Sequence, residues 1–240
     1  LWPEAGGDDR IPRFWGEAEL SRRLVHLHTV RVYDFGLSTS GLPFIAFELL
    51  DGESLQRRLQ RAGSLTLAET RRIAACVAKA LMEAHDLGIV HRDIKPANIF
   101  LCRYAGESDF VKVLDFGIAK DPSSNDLTQQ GWLVGTPMYM APEQITGGTL
   151  TPRADLYSLG LLMGTMLAGQ SVLTGSTHDV IAEQLSDEPV RLPREVLQSP
   201  LHALIRRATE KSAERRYGSA AELLGDLEGA LPVARTVSGG

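Results

Sequence analysis

The sequence predicts a two-lobed α+β protein, with a small strand-bearing first part and a larger, mainly helical second part. Three observations lead there. Two β-prone runs, 30–37 and 43–50, flank Ser38-Thr39-Ser40-Gly41 and read as a hairpin. Thr66-Leu67-Ala68-Glu69 is a capping box, in which the threonine oxygen accepts from a free backbone N–H and the glutamate reaches back to the cap. Beyond it, helical periodicity dominates, broken by two short strand-like pieces at 99–102 and 110–114.

Taken in order, residues 11–26 place Phe14, Leu20, Leu24 and Val25 on an expected buried helix face. Asp51-Gly52 ends the second β-prone run. After the capping box, Ile73, Val77, Leu81 and Ala84 recur at helical spacing until Gly88. The stretch from Cys102 to Phe110 exceeds a minimal turn and reads as a surface insertion. Further helical patterns cover 153–168, 178–185, 199–209 and 219–230. The tail after Leu231 ends in Ser-Gly-Gly, as the start of a linker would.

Composition narrows the function classes. The chain has 240 residues, 43% of them hydrophobic and 23% charged, enough for one large domain or two lobes sharing a core. A net charge of −5 argues against a nucleic-acid partner, which calls for a basic field. The densest apolar run, 156–167, is broken by Ser158, Gly160, Gly164 and Thr165 and is too short to span a bilayer. No basic leader followed by an apolar stretch opens the chain. Cys76 and Cys102 read as buried free thiols in a reducing compartment, so a cytoplasmic location is expected.

The chemistry concentrates in His91-Arg92-Asp93-Ile94-Lys95-Pro96-Ala97-Asn98 and, further on, Asp115-Phe116-Gly117. Phosphoryl transfer needs a group near the attacking hydroxyl, cations on the phosphates, ligands for those cations, and alignment. Asp93 can accept a hydroxyl proton, Asn98 offers an oxygen to a metal, and Asp115 supplies the hard carboxylate that Mg²⁺ prefers. Lys95 can neutralise the migrating group. An isolated loop aspartate is more often a turn former; the ordered set is not a chance pattern.

On these motifs the sequence resembles the protein kinase superfamily, and more narrowly the bacterial eukaryotic-like serine/threonine kinases, from about Leu1 to Glu228. The resemblance implies a kinase-like fold, ATP with Mg²⁺ (Mn²⁺ as alternative), and protein substrates with serine or threonine acceptors. It makes Asp93 the catalytic base, Lys95 the phosphate contact, and Asn98 and Asp115 the metal ligands. Glu17 matches the helix glutamate that pairs with the ATP lysine. Phe47 resembles the residue guarding the adenine pocket, the backbones of Glu48 and Leu50 would bond adenine, and Phe100 would help floor the pocket. Thr136, in Gly135-Thr136-Pro137, resembles the threonine bridging the catalytic aspartate and lysine. Glu143, in Ala141-Pro142-Glu143, would pair with Arg216, and Asp155 would hold the catalytic-loop backbone. His91, Phe116 and Gly117 take structural places. Arg92 would receive an activating phosphate on Thr128, with Ser123 and Ser124 as weaker sites. Self-association for autophosphorylation fits the family.

The sequence also departs from the family. No glycine-rich loop or ATP lysine precedes Glu17, and Leu1-Trp2-Pro3-Glu4 resembles residues just past that lysine. The small lobe therefore reads as partial over 1–50, the large lobe as 51–230 and the tail as 231–240, and the fragment itself is expected to be inactive. Ser21 stands where the family often has an apolar residue. Two other classes compete: a small-molecule phosphotransferase, disfavoured by the peptide-docking motifs at 135–143, and a catalytically deficient scaffold.

Overall fold

The computed structural model describes residues 10–104, 106–116 and 137–229. Helix α1, Arg10–Arg22, leads into a two-stranded antiparallel hairpin of β1, Val32–Leu37, and β2, Pro43–Phe47. Its turn is closed by Ser38 N donating to the Leu42 carbonyl at 2.8 Å. The face expected for the first helix needs correction. Ala18, Ser21 and Leu24 are buried, whereas Leu20 and Val25 are 40% and 67% exposed. At 100° per residue Ala18 and Ser21 lie 60° apart on one stripe, whereas Leu20 lies 160° from Ala18 and 100° from Ser21; Leu24, buried as expected, follows the helix end. Val25 lies beyond the helix end, where its N–H donates to the Glu83 carboxylate at 3.1 Å.

A second sheet has the order β3-β4-β5, with β3 at Gly52–Ser54, β4 at Ile99–Tyr104 and β5 at Glu107–Val113. No strand signal marks β3, because three residues carry no alternation to detect. Gly52 is required there: a Cβ would fall 2.0 Å from the Leu101 carbonyl oxygen. Nor is the stretch from Cys102 to Phe110 a mere surface insertion. Tyr104 pairs with Glu107, so the extra residues lengthen the hairpin. Asp109, at φ +60°, accepts from both Arg58 terminal nitrogens at 2.6 and 3.2 Å, and its carbonyl accepts from Arg72 at 2.8 Å. That fork ties the hairpin to α2, Leu55–Ala62, and to α3, Leu67–Asp86.

The chain after α1 also joins this sheet. Val30 N donates to the Val113 carbonyl at 2.9 Å and Val113 N to the His28 carbonyl at 2.7 Å. The hairpin part and the helical part are thus linked by backbone bonds at the edge of β5.

The capping box at Thr66 and Glu69 is formed in full and starts α3, whose Ile73, Val77, Leu81 and Ala84 are buried. Packed beside it is α5, Pro152–Ala168, buried on every side from Ala154 to Met166. An all-round apolar helix of this length is a core element, and each fully buried leucine in it contributes roughly 2 kcal/mol. Around these lie α4, Pro142–Thr146, α6, Thr177–Leu185, α7, Arg194–Leu197, α8, His202–Ala208, and α9, Ala220–Gly229. Gly160 and Gly164 allow the close approach on α5: a Cβ at Gly160 would meet Ala208 Cβ at 2.8 Å, and one at Gly164 would meet Val172 at 2.6 Å. Both cysteines are free; Cys102 is buried, but Cys76 is only half-buried. Among the described residues no helix is long and apolar enough to cross a membrane.

Candidate active site

The site is built where α3 ends and β4 begins. Gly88, at φ +74°, turns the chain out of the helix, and residues 91–98 cross back toward the sheet. Asp155, wholly buried near the start of α5, organises this crossing. One of its oxygens accepts from Arg92 N at 2.8 Å, the other from His91 N at 2.8 Å and from His85 Nε2 at 2.8 Å. Arg92 sits at φ +65°, left-handed backbone that costs a side-chain-bearing residue about 1–3 kcal/mol. The Asp155 bond to its N–H and the Gln144 Nε2 bond to its carbonyl, at 2.9 Å, hold it there.

That backbone presents Asp93 between two donors. Lys95 Nζ lies 2.9 Å from Asp93 Oδ2, and Asn98 Nδ2 donates to the same oxygen at 3.0 Å. Asn98 Nδ2 also donates to the Asp93 carbonyl at 2.9 Å. Both amide hydrogens are therefore spent on Asp93, which leaves the Asn98 Oδ1 lone pairs for another partner. Leu114 N donates to the Asn98 carbonyl at 2.9 Å, so Asp115 follows directly from a strand end bonded to this loop. Asp115 is exposed at φ +54°, and among the described residues its carboxylate has no hydrogen-bond or ion-pair partner.

His91 is buried between these parts. Its Nε2 donates to the Leu114 carbonyl at 2.8 Å, which leaves Nδ1 to accept from Asp93 N at 3.2 Å, and its ring packs on Phe116 at 4.5 Å. Burial pushes the His91 pKa down, so the neutral ring is the favoured form. Ser21 Oγ donates to the Phe116 carbonyl at 3.1 Å, so the polar residue at that position ties α1 to the Asp-Phe-Gly segment.

At the end of β2, Phe47 is 37% exposed, while Leu50 and Phe100 are half-buried. The Glu48 side chain has a role that the sequence did not show. Its Oε1 lies 2.6 Å from Lys112 Nζ and accepts from Arg31 N at 2.8 Å.

Glu143 and Arg216 meet through a two-pronged bond, at 2.6 and 2.8 Å. Arg216 is 2% exposed and also donates to the carbonyls of Glu210, Lys211 and Arg153. Gln184, fully buried on α6, escaped sequence reasoning altogether. Its Nε2 donates to the Met140 carbonyl at 2.7 Å and its Oε1 accepts from Tyr157 Oη, which fixes the segment just past Pro137. A lone glutamine carries no motif that could have exposed it. Gln144 lay next to a recognised motif and was detectable only by that neighbourhood. The Glu17 side chain, Gly117, Thr128 and Thr136 lie outside the described residues, as do Ser123 and Ser124.

With the loop, the strand end and the Glu143–Arg216 pair assembled in this way, comparison with known proteins gives the class. The chain belongs to the protein kinase domain family, whose sequence profile matches residues 5–226. It is similar to the serine/threonine-protein kinase pkn3 of Myxococcus xanthus, at 38% identity over 231 residues and 92% of this chain. It is also similar to the serine/threonine-protein kinase PknB of Mycobacterium tuberculosis, at 36% identity over 223 residues and 90% of this chain. The chain spans 42% and 35% of these two relatives' own lengths, less than half of each. Among solved structures, the Mycobacterium tuberculosis PknI kinase domain superposes with a TM-score of 0.71 at 28% identity, covering 94% of this chain and 81% of that one. Members of this family use ATP and divalent cations.

Proposed function

We propose that this protein transfers the terminal phosphoryl group of ATP to serine and threonine hydroxyls of protein substrates. The observation that carries the reading is the Asp93 carboxylate held between Lys95 Nζ at 2.9 Å and Asn98 Nδ2 at 3.0 Å. Asp93 accepts the proton of the acceptor hydroxyl as the new O–P bond forms and the bond to the ADP oxygen breaks. Lys95 offsets charge on the transferring group. The donor set fits Mg²⁺, or Mn²⁺ in its place: the Asn98 side-chain oxygen and the Asp115 carboxylate, which have no partner among the described residues, are hard ligands, and such an ion takes few protein groups plus phosphate oxygens. When bound, that ion neutralises phosphate charge.

In this reading Phe47, Phe100 and the backbones of Glu48 and Leu50 receive adenine, and Glu17 contributes on the phosphate side. Thr136 would steady Asp93 and Lys95, and Gly117 would let the chain turn after Phe116. The same reading assigns 1–50 to a partial small lobe, 51–230 to the large lobe and 231–240 to a tail or the start of a linker. Arg92 supports a regulatory role. Its Nε is buried and, among the described residues, has no hydrogen-bond partner, as suits a guanidinium that receives a phosphate on Thr128. Copies that phosphorylate one another would supply that group, in the cytoplasm.

The test is incubation of the full-length gene product with Mg-ATP and a serine/threonine peptide mixture, with phosphate located by mass spectrometry. Asp93→Asn and Asp115→Ala versions run alongside. Phosphoserine and phosphothreonine should form and fall at least about a hundredfold in both variants. Equal transfer by the variants, or no transfer by the parent, overturns the reading.

A further inference from the structure

Gln144 is the third residue of α4, and its side-chain amide faces two ways. Its Oε1 accepts from Ala141 N at 2.9 Å, which closes the cap of α4. Its Nε2 donates to the Arg92 carbonyl at 2.9 Å, 52 residues back along the chain. An amide donates and accepts on one planar head, so both bonds form together.

A capping role accounts for the first bond alone. The second acts on the catalytic loop at a strained point. Arg92 has φ +65°, and the peptide that joins it to Asp93 is gripped at both ends. Gln144 Nε2 holds its carbonyl, and His91 Nδ1 accepts from its N–H at 3.2 Å. The His91 bond is the longer of the two, so the amide is the firmer grip. Without it the left-handed backbone at Arg92 is free to relax by rotating this peptide, and the Asp93 side chain turns with it.

The far end of Gln144 rests on a fixed base. Ser158 Oγ donates to the Tyr139 carbonyl at 2.7 Å, Gln184 Nε2 to the Met140 carbonyl at 2.7 Å, and Arg216 grips Glu143. The amide therefore ties a segment anchored in the helical core to the residue just before Asp93.

Resting on the phosphotransfer reading, we infer that Gln144 is a positioning residue, which fixes the peptide between Arg92 and Asp93 and through it the direction of the Asp93 carboxylate toward the acceptor hydroxyl. It acts through that peptide and touches no reacting atom.

Gln144→Glu separates this role from capping. An ionised glutamate still accepts from Ala141 N, and its charge suits the first turn of a helix, yet it has no hydrogen for the Arg92 carbonyl. Gln144→Met removes both bonds. Both variants are compared with the parent as full-length protein. Exchange of the Arg92 and Asp93 amide hydrogens is followed by fragmentation mass spectrometry without nucleotide. Separately, kcat and KM are measured with Mg-ATP and an acceptor peptide. Exchange at Asp93 should quicken about tenfold or more in both variants. Turnover should fall about tenfold or more, since a displacement of about 1 Å costs up to roughly a hundredfold. KM for ATP and for peptide should stay within about twofold, and the thermal midpoint should drop less in Gln144→Glu than in Gln144→Met. Parental exchange and turnover in Gln144→Glu reduce the residue to a cap and overturn the inference. Either change without the other overturns it too, as does a rise in KM in place of the fall in kcat. If the parent transfers no phosphate, the phosphotransfer reading falls, and exchange at Asp93 still decides whether Gln144 holds that peptide.

Discussion

Lys112 Nζ lies 2.6 Å from Glu48 Oε1, a nearly buried ion pair that joins the strand leading to Asp115 to the segment after β2. Lys112 also donates to the Thr29 carbonyl at 3.3 Å and lies over the Tyr104 ring at 5.2 Å. One ammonium thus links the segment after β2 to the strand that leads to Asp115. Lys112→Met strands the Glu48 carboxylate and should cost about 3 kcal/mol, read by denaturant unfolding. The double change Glu48→Gln with Lys112→Met should recover most of it, because no uncompensated charge remains. A double variant as unstable as the single one would show that packing, not charge, dominates.

Asp155→Asn should be more damaging to transfer than a surface change of equal size. An amide cannot accept from His91 N, Arg92 N and His85 Nε2 with both ends, so at least one buried N–H faces another donor. The expected loss is about 3 kcal/mol of stability, with a fall in phosphotransfer rate because Asp93 follows Arg92 directly. Unfolding and rate measured on one preparation check both; an unchanged rate would separate Asp155 from the placement of Asp93.

Arg216→Lys keeps the charge and loses the fork. Lysine cannot reach the Glu143 carboxylate and the carbonyls of Glu210, Lys211 and Arg153 together, so about 3 kcal/mol of destabilisation is expected. The midpoint of urea unfolding tests it. A shift below about 1 kcal/mol would mean that the bare charge suffices.

Stability should fall as the medium is acidified below the ordinary imidazole value of 6.5. Burial lowers the pKa of His91, and does the same for His26 and His28. The unfolded chain therefore takes up protons before the folded one does. The stability that these groups contribute is complete above pH 6.5 and is lost as the pH drops toward their lowered native values. Protonating His91 Nδ1 would also set a donor against Asp93 N. Thermal midpoints between pH 7.5 and 5.5 should decline, and less steeply in a His91→Gln variant. A flat profile in the parent would refute the assignment.

Much of the site was legible because its chemistry is local. Asp93, Lys95 and Asn98 share one short loop, and Asp115 with Phe116 sits at the next strand end, so order and spacing were enough to propose their company. The capping box at Thr66 was equally readable, since both partners lie within one turn. Buried faces were less so: Leu20 and Val25 fit a helical period, yet only the packing of α1 showed that Ala18 and Ser21 face inward while those two do not. The strand at Gly52–Ser54 was invisible because its pairing partners lie far along the chain, at Phe100 to Cys102.

The sequence by itself determined the family, the catalytic loop and the helical character of the second part, for these rest on residue identity and short-range spacing. Tertiary structure alone decided which further polar groups meet across long separations: Lys112 with Glu48, Asp155 with the His85 side chain, and Gln184 with Met140. A buried amide or ammonium is stable only where a distant backbone group or carboxylate arrives to satisfy it. No local pattern encodes that arrival.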